Sequence, residues 1–201
     1  MSYVIGIDEV GRGPVAGPVV VCACAVRKGV DVLPLFPKQE LRDSKKLSEK
    51  QRLEIMASLD SLVESSDVVF GLGEVSADEI DSLGITASIQ KAMQQALHKL
   101  HEHDVPKNSF VFLDGALSLK EYDHEVVIKG DEKIPEIALA SIIAKTYRDA
   151  MMKKVADAYP QYGFENHVGY GTKAHYEAIK EYGLTPLHRR SFLKRVTERQ
   201  E

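Results

Sequence analysis

Two short runs place acids where a strand would end: Ile7 into Asp8-Glu9, and Leu113 into Asp114-Gly115. In α/β proteins the crevice at strand carboxyl ends is a common ligand site, and acids from two neighbouring strands can meet there. Carboxylates held that close repel one another unless a cation neutralises them. Hard ions such as Mg²⁺ or Mn²⁺ prefer oxygen donors, and the sequence offers no zinc-like Cys/His set in their place. The plainer alternative is that Asp8 and Glu9 only cap a turn. Gly11-Arg12-Gly13 directly behind them favours chemistry. The glycines admit close backbone approach, and an arginine between them can reach a phosphate or sugar oxygen.

A fourth acid, Asp149, lies in a helical stretch with Ser141 and Lys145 at i, i+4 and i+8, so the three share a stripe. Lys145 and Asp149 alone would pass for a surface ion pair. The small apolar residues around them, Ala140, Ile142, Ile143 and Ala144, imply close packing with a polar stripe opening onto a cleft.

The elements that must carry these groups read as follows. Tyr3–Ile7 is a strand ending at Asp8-Glu9, and Val19–Val26 is a continuous apolar run typical of a buried strand. Ser48 and Gln51 have capping-box spacing at the head of a helix to Leu59, with Leu53, Ile55, Met56 and Leu59 on its apolar side. Val68–Val75 is a third strand, with a bulge expected at Gly71-Leu72-Gly73. Ser76 and Glu79 cap a short helix, and a longer one runs from Ile85 to His101. Phe110–Leu113 and Val126–Ile128 are strands, and Pro135 opens a helix to Tyr159. A loop over 161–171, a helix from Thr172 to Tyr182 and a basic helix after Pro186 complete the chain. Strands mixed with helices, then helices alone, predict one α/β domain over residues 1–201, with residues from about 160 onward forming a helical C-terminal portion.

Composition narrows the field. The chain has 201 residues, 44% of them hydrophobic, enough for one packed core. A net charge of −4 does not by itself suggest nucleic acid. The distribution does: Arg189, Arg190, Lys194, Arg195 and Arg199 face only Glu198 and Glu201 at the C-terminal end, and Lys45-Lys46 is also basic. Positive edges around an acidic centre suit a phosphate ligand beside bound cations. Cys22 and Cys24 point to one face of a strand and read as buried free thiols in a reducing cytosol. No signal peptide and no apolar run of about 20 residues is seen, so a cytoplasmic protein without membrane attachment is expected. His98, His101 and His103 read as a solvated helix end rather than a zinc site, and His167 and His175, flanking Tyr170 near the expected cleft, are given a minor catalytic role or none.

Ile7-Asp8-Glu9-Val10-Gly11-Arg12-Gly13-Pro14-Val15-Ala16-Gly17-Pro18-Val19-Val20 resembles the N-terminal signature of the ribonuclease HII family. Asp43 to Ser48, Leu113-Asp114-Gly115, Ala140 to Lys145 with Arg148-Asp149, and His188 to Phe192 resemble its later blocks in the same order, over nearly the whole chain. The related type HIII differs by an extra N-terminal domain and a lysine in the Gly-Arg-Gly slot; here that slot holds Arg12. The resemblance implies a ribonuclease H-like fold, a mixed sheet flanked by helices with a C-terminal helical portion. It implies Asp8, Glu9, Asp114 and Asp149 as catalytic, metal-binding acids for two Mg²⁺ or Mn²⁺ ions. It implies Gly11, Arg12 and Gly13 at the ribose 2′-hydroxyl and the next phosphate, Tyr170 packed on the sugar at an RNA–DNA junction, and Lys45 and Lys46 near the backbone. Ser141, Lys145, Arg189 and Arg190 are further candidates for substrate contact. Tyr147 departs from the family pattern and is expected to face the core. The implied partners are RNA–DNA hybrids and DNA duplexes containing ribonucleotides, met by a monomer. The implied reaction cuts the RNA strand of hybrids and cuts 5′ of single embedded ribonucleotides, leaving 3′-hydroxyl and 5′-phosphate ends. Two other classes compete: another ribonuclease H-like metal nuclease such as a resolvase or exonuclease, which strict cutting at ribonucleotides would exclude, and a non-catalytic hybrid-binding module, which intact acids at all four positions disfavour.

Overall fold

The computed structural model describes residues 1–41, 47–115, 119 and 122–197, and the side chains of these except 39 and 195–197. Five strands form one sheet: β1 (Tyr3–Val10), β2 (Val19–Arg27), β3 (Val68–Val75), β4 (Phe110–Asp114) and β5 (His124–Val127), in the order β3-β2-β1-β4-β5. β1, β2 and β3 are antiparallel, whereas β4 and β5 add in parallel, so the sheet is mixed. Among the described residues the α-helices, in chain order, are α1 (Glu49–Glu64), α2 (Ala77–Leu83), α3 (Ile85–Glu102), α4 (Pro135–Ala156), the single turn α5 (Phe164–His167), α6 (Lys173–Tyr182) and α7 (Arg190–Thr197).

Strand alternation divides the core in two. Ile5, Ile7, Val21, Ala23, Val111 and Leu113 pack under α3. Val20, Cys22 and Cys24 pack on the opposite face with Ile142 and Ile143 of α4 and Ile55 and Leu59 of α1. Both thiols are free and buried. β1 and β2 are therefore covered on both sides, which is why β2 reads as an unbroken apolar run.

Three glycines set how closely the helices lie on the sheet. A Cβ at Gly71 would stand 2.2 Å from the Ala96 carbonyl oxygen, and one at Gly73 1.8 Å from that of Ala92. Both residues pair in unbroken register with β2, so the Gly71-Leu72-Gly73 stretch is a seat for α3 and not a bulge. Gly6 does the same for α4, whose Glu136 carbonyl carbon lies 2.1 Å from where a side chain would begin. The capping boxes at Ser48/Gln51 and Ser76/Glu79 form, and Pro135 opens α4.

Other boundaries shift. β1 runs on through Asp8 and Glu9 to Val10, because β2 continues to pair with it after β4 has stopped. β5 lies two residues earlier than expected, at 124, leaving Ile128 outside and exposed. On α1, Leu53 is exposed and Arg52 takes the buried place. A third cluster, with Val15, Met152, Tyr162, Phe164, Ile179 and Leu193, is the core of the C-terminal helical portion. No helix among the described residues is long and apolar enough to cross a membrane.

Candidate active site

Parallel pairing of β1 with β4 ends at Ile7↔Leu113, so Asp8 and Asp114 are the next residues on neighbouring strands. Side chains one position beyond a matched pair share a face, and here it is the α4 face. Asp8 is buried. Its carboxylate accepts a hydrogen bond from Ser141 on α4, and Oδ1 accepts the Glu9 amide at 2.8 Å. Burial, with the charges of Glu9 and Asp114 adding to it and these hydrogen bonds opposing it, pushes the Asp8 carboxyl up to about 7. Asp114 Oδ1 accepts the Gly130 amide at 2.9 Å, which ties it to the turn before α4. Glu9 has the opposite strand parity and lies 3.6 Å from the Arg12 guanidinium.

Asp149 sits about two turns beyond Ser141 on the stripe expected from the sequence. It meets two cations: Lys145 Nζ at 2.7 Å and Arg52 Nη2 at 3.2 Å. Arg52 also donates to the Leu47 carbonyl at 2.8 Å, so α1 joins the site through a residue the sequence reading passed over. Among the described residues, no three His, Cys, Asp or Glu side chains stand close enough together to hold an ion. The structure thus brings Asp8, Glu9 and Asp114 within electrostatic reach and leaves Asp149 engaged with Lys145 and Arg52. The chemistry of the donors still fits a hard cation. All are carboxylates, and the burial and neighbouring acids that raise the Asp8 carboxyl to about 7 are conditions that a bound cation would relieve.

The Gly11–Pro18 loop follows directly. Gly11 has φ +88°, and a Cβ there would meet Arg148 Nε at 2.5 Å. Val15 and Ala16 amides donate to the Gly169 carbonyl at 2.9 and 3.2 Å, docking this loop against the one that carries Tyr170. Tyr170 is exposed, and its Cε1 lies 3.9 Å from where a side chain on Gly13 would begin. Expected loop character over 161–171 is modified by a turn of 3₁₀-helix and by α5.

Behind Tyr170 three histidines interlock. His175 Nδ1 lies 2.9 Å from the Tyr170 carbonyl, so it carries the proton, and its Nε2 faces His188 Nε2 at 3.1 Å. His188 Nδ1 accepts the Thr185 amide at 2.9 Å. Burial, first among the causes, lowers both His175 and His188 to about 4. His167 stacks on His175 at 4.3 Å. They are structural groups under the loop.

Several expectations require correction. Arg189, proposed for substrate contact, is fully buried and donates to three backbone carbonyls, because the loop it braces has no regular partners for them. Arg190, by contrast, is exposed as a substrate contact would require; its amide and that of Ser191 donate to the Asp81 carboxylate at 2.7 and 2.9 Å, an acid from α2 that satisfies the first turn of α7. Tyr147 faces outward and bonds Glu74 at 3.2 Å rather than entering the core, since the apolar side of α4 is already filled. His101 is no solvated helix end: it bonds the Val105 carbonyl at 2.7 Å and Tyr122 at 2.6 Å. Lys45 and Lys46 lie outside the described residues.

A mixed five-stranded sheet with acids at the β1/β4 junction, flanked by helices and followed by a helical portion, is a ribonuclease H-like fold. The structure superposes on ribonuclease H2 from Pyrococcus horikoshii with a TM-score of 0.74, at 26% identity over 98% of both chains. The sequence is 44% identical to ribonuclease HII of Chlamydia pneumoniae over 95% of this chain and 83% of that protein. It is likewise 44% identical to ribonuclease HII of Fusobacterium nucleatum, over 98% and 89%. The ribonuclease HII family model matches residues 5–195, and the chain belongs to that family, metal-dependent endonucleases of the ribonuclease H class.

Proposed function

We propose that this chain cuts the RNA strand of RNA–DNA hybrids and cuts 5′ of single ribonucleotides in duplex DNA, leaving 3′-hydroxyl and 5′-phosphate ends, in the removal of misincorporated ribonucleotides and RNA primers. The observation that carries the reading is the placement of Tyr170, whose Cε1 lies 3.9 Å from where a side chain would begin on Gly13, in the loop that follows the strand carrying Asp8. A surface able to test a sugar adjoins carboxylates able to serve phosphate chemistry.

Asp8 and Asp114 would hold the divalent ions, Mg²⁺ or Mn²⁺, with Glu9 and Asp149 completing the set. A pair of such ions held there would supply activation of the attacking water and stabilisation of the departing 3′-oxygen. The protein's own groups do the rest. Ser141 and the Glu9 amide fix the Asp8 carboxylate on the α4 face, and the Gly130 amide fixes Asp114. Lys145 holds Asp149 along the helix. The Gly11–Gly13 backbone and Tyr170 form a narrow site for the ribose, where one hydroxyl separates RNA from DNA. A site built to bond that hydroxyl rejects its absence strongly. Arg12, with 59% of its side chain exposed beside Glu9, reaches outward to a phosphate.

The test is cleavage of a DNA duplex carrying one ribonucleotide, with and without Mg²⁺ or Mn²⁺. A single metal-dependent cut 5′ of the ribonucleotide is expected. Cutting of the all-DNA control at a similar rate, or undiminished activity in excess chelator, refutes the reading.

A further inference from the structure

Two arginines, Arg148 on α4 and Arg189 just before α7, are each 0% exposed. Neither forms an ion pair among the described residues; both spend their guanidinium on backbone oxygens, five of the six in the Gly11–Pro18 loop and the sixth at Val168. Arg189 donates from Nε to Gly17 at 2.9 Å, from Nη2 to Gly11 at 2.7 Å and from Nη1 to Arg12 at 3.2 Å. Arg148 donates from Nε to Pro18 at 2.9 Å, from Nη2 to Ala16 at 3.1 Å and from Nη1 to Val168 at 2.9 Å, two residues before Tyr170. Burying a guanidinium without a carboxylate is costly, and the planar fork is what lets one side chain meet three carbonyls at fixed angles.

The geometry has a direct effect on the loop's other side. In a trans peptide the N–H points away from the C=O of the same unit. Drawing the Gly11 and Arg12 carbonyls inward therefore turns the Arg12 and Gly13 amides away from the arginine, in a loop where Tyr170 Cε1 lies 3.9 Å from where a side chain on Gly13 would begin. Neither amide has a partner among the described residues.

We propose that Arg148 and Arg189 are positioning residues for ribose recognition: from behind, they fix the outward amides of Arg12 and Gly13 and the spacing of that loop from Tyr170, and so set discrimination by the 2′-hydroxyl without touching nucleic acid. This rests on the reading of the site given above. It assigns Arg189 the opposite of a surface phosphate contact, and gives the Arg148-Asp149 pair two separate duties, loop placement and acid placement.

The experiment uses Arg148→Lys and Arg189→Lys, which keep charge and stem but replace the fork by a point donor. Phe192→Leu is a third variant. Its ring supports the Arg189 guanidinium at 5.2 Å and is partly exposed, so the change leaves the core intact. Single-turnover rates, corrected for the folded fraction by circular dichroism, are measured on a duplex with one ribonucleotide and on an all-RNA strand paired with DNA. Affinity for plain duplex DNA is measured alongside. The lysine variants are expected to lose ~100-fold on the single ribonucleotide, about tenfold more than on the hybrid, while duplex affinity stays within about threefold. Phe192→Leu should move the same ratio in the same direction by about threefold. Equal corrected losses on both substrates, or an unchanged ratio in all three variants, overturns the proposal. If the wild-type protein itself cuts ribonucleotide and deoxyribonucleotide sites alike, the reading of the site fails, and the positioning role fails with it.

Discussion

Asp8→Asn is expected to stabilise the metal-free protein at pH 8 while removing its activity. The Asp8 carboxyl rises from 3.8 to about 7 on folding, chiefly by burial and then by the neighbouring acids, against its hydrogen bonds. Between pH about 4 and about 7 the unfolded chain has released this proton and the folded chain retains it, so the group's contribution to stability declines as pH rises through that window. Some three pKa units correspond to about 4 kcal/mol. Asparagine has nearly the shape of the protonated acid, and its oxygen can still accept from Ser141 and the Glu9 amide. The variant escapes the cost of ionisation. For a chain of this length about 4 kcal/mol is roughly 10 °C in melting temperature. Thermal unfolding followed by circular dichroism in chelator, at pH 5 and pH 8, tests this. The two proteins should melt within a few degrees at pH 5, and the variant should melt higher at pH 8. Other groups, such as His175 and His188, whose lowered values make the fold lose stability as pH falls from about 6.5 toward 4, cancel in the difference. Adding Mn²⁺ at pH 8 should raise the wild type and leave the variant nearly unmoved. A variant less stable than wild type at pH 8, or an equal gap at both pH values, would refute the argument that Asp8 is held at an electrostatic disadvantage.

Asp114→Asn should lower the cleavage rate by several orders of magnitude with the fold retained; more than about a tenth of wild-type rate would remove it from the chemistry. Arg12→Ala should weaken cutting of every ribonucleotide substrate and flatten its salt dependence, and wild-type rates at physiological salt would make it a surface residue only. Tyr170→Ala should lose more on a single embedded ribonucleotide than on an all-RNA strand in a hybrid, where many registers are available; equal losses would mark it as a general positioning residue. Gly71→Ala, with its new Cβ 2.2 Å from the Ala96 carbonyl oxygen, should cost about 2 kcal/mol or more in chemical unfolding without contact to the site, and a neutral change would mean that α3 can lift off β3 freely.

The sequence was most informative where local rules decide. Both capping boxes, the proline at the head of α4 and the apolar run of β2 follow from nearest neighbours, and the structure has them. It was least informative where a residue's role depends on what arrives from far along the chain. Arg189 looked like surface charge because its carbonyl partners lie more than 170 residues away. Gly71 and Gly73 looked like a bulge because nothing local announces that α3 will press on them. On α1 an apolar count buries Leu53, whereas the structure buries its neighbour Arg52, whose partner Asp149 is 97 residues distant. Motif blocks named Asp8 and Asp114 as a pair, but the side of the sheet they face and the cations that hold Asp149 needed coordinates.

The β1–β4 pairing has a further consequence for how the chain acquires its chemistry. Asp8 and Asp114 become neighbours only when strands separated by roughly a hundred residues align in parallel with the right offset. Such a long-range closure is slow compared with helix formation, so α4 can form, with Asp149 upon it, in a chain that still lacks the acid pair. A slip of one residue would carry Asp114 to the α3 side of the sheet, away from Asp8. If Asp8 and Asp114 hold the divalent ion as proposed, its affinity during refolding is a clock for one event, the locking of β4 against β1, and should return after helical signal has already recovered.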